Sequence, residues 1–261
     1  MSTSSRAKFR NVLDHVSRAR PDVADPEGAL VAGHVLIDGR VVTNPRSQVR
    51  ADASVVIKPP RALRGEDKLR AALEGFAVDV TDRECVDLGA SAGGFTRVLL
   101  EHGARRVFAV DAGHGQLRGE LRNEDRVVNL ERTNLSDLSA IPPDTPIGAV
   151  TMDLSYLSVA DAVPQIETLS FAADAQLIAL VKPMFELGLE APPDDDPSLQ
   201  RALDLAVAGV ERAPWHVAGT MPSPVTGSKG AREWLLHARR TTDGRITGGP
   251  PEPTGHGRPA G

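Results

Sequence analysis

Aromatic side chains are scarce in this chain: 3% of 261 residues, comprising six Phe, two Trp and one Tyr. A single-strand binding platform stacks successive bases on aromatic faces, so this mode of nucleic-acid binding is disfavoured. There is one cysteine, Cys85. An intrachain disulfide and a cysteine-only zinc site are therefore excluded, and a reducing cytoplasm is the expected setting. Long apolar runs are also missing. The longest, Leu177 to Val181, falls far short of a membrane span. The opening stretch MSTSSRAKFRNVLDHV has no apolar segment, so no signal peptide is predicted. At 41% apolar, the chain can still bury the core of one ordinary domain plus a small extra module.

The net charge of -5 is unevenly spread. Residues 1–64 carry 11 Lys/Arg against 6 Asp/Glu, a net of +5, whereas residues 65–240 carry 17 against 27, a net of -10. A basic front module on an acidic body predicts that the front module meets an anion such as nucleic acid. Residues 241–261 are rich in Gly and Pro, have no apolar period and are expected to be a disordered tail.

In the front module, helices are expected near 6–19 and 25–32. The stretch GHVLIDGRVV (33–42) then reads as a hairpin turning at Asp38-Gly39, and Ser54 to Ile57 as a further strand. Pro59-Pro60 marks the end of the module, which is assigned to residues 1–62. From 66 to 240 the period alternates. A helix is predicted over 68–76, strands at 84–89, 106–112, 126–130, 147–154 and 176–182, and helices at 94–102, 115–122, 158–169 and 197–212. Segments 215–221 and 232–238 have no helix between them and should pair antiparallel. Short continuous apolar strands such as RVFAVD and GAVTMD indicate a parallel sheet covered on both faces. The expected class is α/β, a doubly wound Rossmann-like sheet over residues 63–240 behind a small α+β module. Its ligand should sit at the carboxyl ends of the strands, beside Asp87.

The stretch VDLGASAGGFTRVLL (86–100) is a strand, a Gly-rich loop and a helix in succession. A P-loop needs Gly-Lys-Ser/Thr at the helix start, and this loop has no lysine. A dinucleotide fingerprint needs glycine at the middle position, where Ser91 stands and would crowd a pyrophosphate. S-adenosylmethionine, which has no phosphate, fits better. Asp87 could face its ammonium, while Gly89, Gly93 and Gly94 let the backbone approach. Asp111 ends the next strand and could accept the ribose hydroxyls, and Asn134 could approach the adenine.

The ordered set DLGASAGGFTRVLL, AVDAGHGQL, ERTN, MDLSYLSV, VKPMFE and SPVTGSKGAREW resembles the TlyA-type (hemolysin A-like) methyltransferases. These are S-adenosylmethionine-dependent ribose 2′-O-methyltransferases of ribosomal RNA. They combine an FtsJ-like catalytic domain with an N-terminal RNA-binding module of the ribosomal-protein S-four (S4) type, which GHVLIDGRVVTNP resembles. The resemblance covers roughly residues 9–240 and implies a Lys-Asp-Lys-Glu tetrad at Lys68, Asp153, Lys182 and Glu233. It also implies cofactor contacts from the 87–95 loop, including Ser91 and Phe95, and from Asp111, Asn134 and Asp153. A ribose hydroxyl is a poor nucleophile and the sulfonium methyl a strong electrophile. The residues must therefore align the two and take a proton as the bond forms. Lys182 is the expected base, with Lys68 the neighbouring cation and Glu233 orienting the lysines or the hydroxyl. No metal is expected, and the implied partner is ribosomal RNA or a ribosomal subunit.

Three stretches depart from the family pattern. Two acids, Glu66 and Asp67, directly precede Lys68 and would be its neighbours. Where the family has a basic, serine-rich second helix in the front module, this chain has PDVADPE (21–27), with three acids and two prolines, which would weaken its grip on RNA. The loop PPDDDP (192–197) puts three carboxylates at the ligand edge, where they would repel phosphates. These departures leave two alternatives open: a small-molecule O-methyltransferase with a vestigial RNA module, and a non-catalytic RNA-binding factor.

Overall fold

The computed structural model describes residues 8–58, 63–242 and 245–246. In the front module, β1 (Phe9–Asn11) runs directly into α1 (Val12–Ala19). Asn11 makes the switch: its side chain accepts from the Leu13 and Asp14 amides at 2.9 and 3.4 Å and so caps the helix. The single helix expected near 6–19 is thus a strand and a shorter helix. α2 (Pro26–Val31) begins at Pro26 behind the capping Asp25. The expected hairpin is formed by β2 (Val35–Ile37) and β3 (Arg40–Val41). Asp38 and Gly39 both have positive φ, 47° and 78°, as a two-residue primed turn requires. β4 (Gln48–Arg50), not anticipated from the sequence, pairs with β1, and β5 (Val55–Ile57) pairs with β2. Val12, Val16, Leu30, Val35, Ile37 and Ala53 form the module's core. Its expected boundary at Pro59-Pro60 lies outside the described residues.

The larger body comprises α3 (Arg64–Gly75), β6 (Glu84–Leu88), α4 (Gly94–Glu101), β7 (Arg106–Asp111), α5 (Gly119–Arg122), β8 (Val127–Glu131) and β9 (Ile147–Met152). It continues through α6 (Val159–Ile166), β10 (Phe171–Val181), α7 (Pro183–Glu186), α8 (Asp196–Glu211), β11 (Trp215–Pro222), β12 (Trp234–Thr242) and β13 (Arg245–Ile246). The strand order is β11-β12-β10-β9-β6-β7-β8, with β13 on β12. Strands β10 to β8 are parallel, and β12 runs antiparallel to both β10 and β11.

Alternate strand residues feed two cores, one on each face of the sheet. Val86, Leu88, Val150 and Met152 join α6 and α8 on one face. Cys85, Val107, Ala149 and Ile178 join α3 and α4 on the other. Burial pushes the Cys85 thiol up to about 12, so it is inert packing. The chain leaves β6 toward β7 and β8, then returns to place β9 on the opposite side of β6. The topological switch point therefore lies between β6 and β9, where such sheets bind ligands.

Two expectations are corrected. The helix expected over 115–122 shrinks to the four residues of α5, because Glu131 ties the preceding residues into a loop. The tail expected from 241 is in part strand: Thr241 and Thr242 pair with Ile246 and Arg245. The rest of the tail lies outside the described residues. Among the described residues, no helix is long and apolar enough to cross a membrane.

Candidate active site

A cavity of about 270 Å³ opens at the carboxyl ends of β6, β7 and β9. Its floor is Gly89, held at φ 82°, where a Cβ would stand 2.6 Å from the Asp153 carbonyl oxygen. Only glycine permits that approach. Asp111 organises the next wall: one carboxylate oxygen accepts the Ser91 amide at 2.8 Å, the other the Gly113 amide at 2.6 Å. The Ser91 hydroxyl donates to Gln116 at 3.1 Å, and the half-exposed Tyr156 forms the rim. Two carboxylates, Asp111 and Asp153, line this cavity, and no Lys, Arg or His is among its described lining residues.

A second cleft of about 660 Å³ shares Gly89, Ser91 and Asp153 with the first. All four tetrad residues line it. Lys182 Nζ lies 2.6 Å from Asp153 and donates to the Ser155 hydroxyl at 3.3 Å. Lys68 Nζ lies 2.6 Å from Glu233, with the two side chains 7% and 5% exposed.

Local sequence accounts for each placement. Lys182 directly follows the last residue of β10, and Pro183 at the first position of α7 turns the chain away. Lys68 is brought in by glycines: a Cβ at Gly94 would stand 3.3 Å from the Gly65 Cα, so α3 packs tightly on the start of α4. The acids beside Lys68 are not its partners. Glu66 accepts the Leu63 amide at 3.3 Å and pairs with Arg97, while Asp67 faces solvent.

A family model for the FtsJ-like methyltransferases matches residues 62–240. The chain belongs to the FtsJ-like methyltransferase family. It is 39% identical over 252 residues to a protein of Mycobacterium tuberculosis named 16S/23S rRNA (cytidine-2′-O)-methyltransferase TlyA, covering 93% of this chain and 92% of that one. It is 34% identical to the Bacillus subtilis protein YqxC, over 83% and 80% of the two chains. Among solved structures, a hemolysin-named protein of Streptococcus thermophilus superposes with a TM-score of 0.64 at 28% identity, covering 89% of each chain. This chain is thus an S-adenosylmethionine-dependent methyltransferase of the TlyA-type branch.

The cavity of this methyltransferase fits that cofactor. A sulfonium nucleoside with an ammonium carries positive charge and no phosphate, which suits an uncharged glycine floor between two carboxylates. Asp111, Gly89, Ser91 and Asp153, the cofactor candidates of the sequence, line the cavity. Gly94 and Phe95 line an adjoining hollow of about 170 Å³ that shares Gly89, Ser91 and Asp153.

Three residues proposed for the cofactor lie elsewhere. Asp87 is fully buried, and its two oxygens accept from Thr96 at 2.6 Å and Thr151 at 2.9 Å. It braces β6 to α4 and β9 instead of facing the ammonium, and burial raises its carboxyl to about 6 against these two hydroxyls. At Gly93, a Cβ would stand 2.1 Å from Leu121, so this glycine admits the packing of α5. Asn134 faces solvent, and its neighbours Thr133 and Leu135 line the cavity.

Sequence reasoning missed Glu131. It ends β8 as Asp111 ends β7, a signal that was available. Its carboxylate accepts the Gln116 and Leu117 amides at 2.6 and 3.1 Å and so fixes the loop that carries Gly113 and Gln116. Burial raises its pKa, but these amides, with help from Gly115 and Asn129, outweigh that and hold it down to about 2.

Proposed function

We propose that this protein methylates a ribose 2′-hydroxyl of ribosomal RNA. The observation that carries the proposal is the single cleft in which two lysines, each paired with a carboxylate, meet the edge of the cofactor cavity. Bound S-adenosylmethionine supplies an electrophilic methyl group. Lys182, entering the step as the neutral amine once its ammonium proton has passed to solvent, accepts a hydrogen bond from the incoming hydroxyl and takes its proton. Asp153 and Ser155 hold the lysine in line with the cavity they also line. Lys68 and Glu233 form a fixed charged pair on the same cleft that orients the ribose. Met184, Phe185 and Pro192 give the cleft an apolar side that excludes water.

The front module is proposed to be an RNA-binding module of the S4 type. Three of its six acids are already engaged: Asp22 takes a two-pronged contact from Arg20, Asp52 one from Arg50, and Asp25 caps α2. His34 of the module lies 3.7 Å from Glu120 of the body. Glu120 pairs with Arg97, which also reaches Glu66, two residues before Lys68. RNA held by the module would therefore be presented beside the cleft. The acidic loop that motivated a small-molecule substrate is largely committed as well: Asp195 caps α8 and Asp196 pairs with Arg232 at 2.8 Å. A cytoplasmic location beside ribosomal subunits follows from this reading.

The test is transfer of labelled methyl groups to ribosomal subunits and to free ribosomal RNA. Wild-type protein should label one or both, and Lys182→Ala should bind cofactor without labelling either. Absence of transfer to any RNA by cofactor-loaded wild type would reject the proposal.

A further inference from the structure

Glu186 belongs to none of the roles above, yet it occupies an unusual position. It ends α7, the single turn that starts at Lys182, and one of its carboxylate oxygens is buried with no hydrogen-bond partner. The other oxygen accepts the Val159 amide at 2.7 Å. Val159 is the first residue of α6, whose early amides have no acceptor within the helix. Ser158, the residue that precedes α6, serves only one of them, accepting from Asp161 at 3.0 Å. The amides of Val159 and Ala160 are left to Glu186.

The contact closes a ring around the reactive lysine. Lys182 and Glu186 stand at the two ends of one helical turn. Asp153 and Ser155, which hold Lys182 Nζ, stand four to six residues before Val159 in the loop that leads into α6. The turn is therefore pinned to that loop twice, inside the cleft by the lysine and outside it by Glu186. Without the second pin, the α7 turn is tied to that loop by the lysine alone, and the backbone next to Lys182 loses a restraint. Burial pushes the Glu186 carboxyl up to about 7 despite the two amide donors that lower it, and neighbouring Asp161 adds to the rise. A solvated surface glutamate would not show this.

We propose that Glu186 is a positioning residue for methyl transfer, fixing the backbone turn that aims Lys182 at Asp153 and the ribose hydroxyl. This rests on the proposed role of Lys182. A misplacement on the order of 1 Å at a reacting group costs about a hundredfold in rate, and that sets the scale of the effect.

The test compares Glu186→Met, which keeps the bulk and removes the acceptor, with Glu186→Gln, which keeps an acceptor for Val159. Both are measured as full-length protein for RNA methylation kcat and KM and for S-adenosylmethionine affinity, with Lys182→Ala alongside. Glu186→Met should lose about ten- to a hundredfold in kcat with cofactor affinity and both KM values unchanged, and Glu186→Gln should stay within about threefold of wild type. Wild-type kcat in Glu186→Met overturns the proposal, and so does a Glu186→Gln variant that falls equally far. Loss of cofactor affinity in step with kcat, or failure of Glu186→Met to fold, assigns Glu186 to general stability and overturns it too, because the same loop lines the cofactor cavity. An active Lys182→Ala would instead overturn the underlying reading of the lysine.

Discussion

Replacing Lys68 with methionine should destabilise the protein severely, and the size of the loss follows from the geometry. Lys68 and Glu233 are 2.6 Å apart, with side chains only 7% and 5% exposed. Two charges taken this far out of water stabilise little as a pair, because desolvation offsets their attraction. Removing one of them strands the other. An uncompensated buried carboxylate costs about 3–5 kcal/mol. For a domain of this size each kcal/mol moves the melting temperature by about 2–4 °C, so Lys68→Met should melt about 6–20 °C below wild type. Replacing both residues, as Lys68→Met with Glu233→Leu, removes the stranded charge and should recover most of that loss, although both proteins are expected to be inactive. The assay is scanning calorimetry at pH 7 on wild type, the two single variants and the double. A Lys68→Met melting point within about 2 °C of wild type, or a double variant no more stable than the singles, would refute the claim of a dry, mutually dependent pair.

Further outcomes are expected. Burial raises the Asp87 carboxyl from 3.8 to about 6 in the folded protein. The stability it contributes is thus present below pH 3.8 and lost as pH rises through 6, so wild type should fall relative to Asp87→Asn between pH 4 and 6; melting curves that keep a constant offset would contradict this. Gly89→Ala places a Cβ 2.6 Å from a backbone carbonyl at a positive φ, and should abolish cofactor binding in a calorimetric titration. Asp22→Asn and Asp52→Asn release Arg20 and Arg50 from their two-pronged contacts. Each should tighten RNA binding and steepen the salt dependence of log K by about 0.7–0.9 if the freed arginine reaches a phosphate; an unchanged slope would place these arginines away from the RNA.

Much of the body was legible in the sequence because its signals are local and redundant. Parallel strands buried on both faces give continuous apolar runs, and RVFAVD and GAVTMD became β7 and β9 almost to the residue. The tetrad was carried by motifs and not by spacing: Lys68 and Glu233 are 165 residues apart, and only the fold reveals that they share a hydrogen bond. Asp87 is not legible from sequence because a strand-end acid looks the same whether it points at a ligand or back at Thr96 and Thr151. Gly93 is ambiguous for a similar reason: a loop glycine can make room for a ligand or for a leucine. β4 is three residues long and too short to show a period. Glu186 carries no sequence signal because its partners are backbone amides at the start of α6, far away in the chain.

The most direct test of ribose methylation is mass spectrometry of nucleosides from ribosomal RNA incubated with the protein and isotopically labelled S-adenosylmethionine. Label on the sugar, as a 2′-O-methyl nucleoside that Lys182→Ala fails to produce, is the predicted result. Label on a base, or the same sugar label from Lys182→Ala, would contradict it.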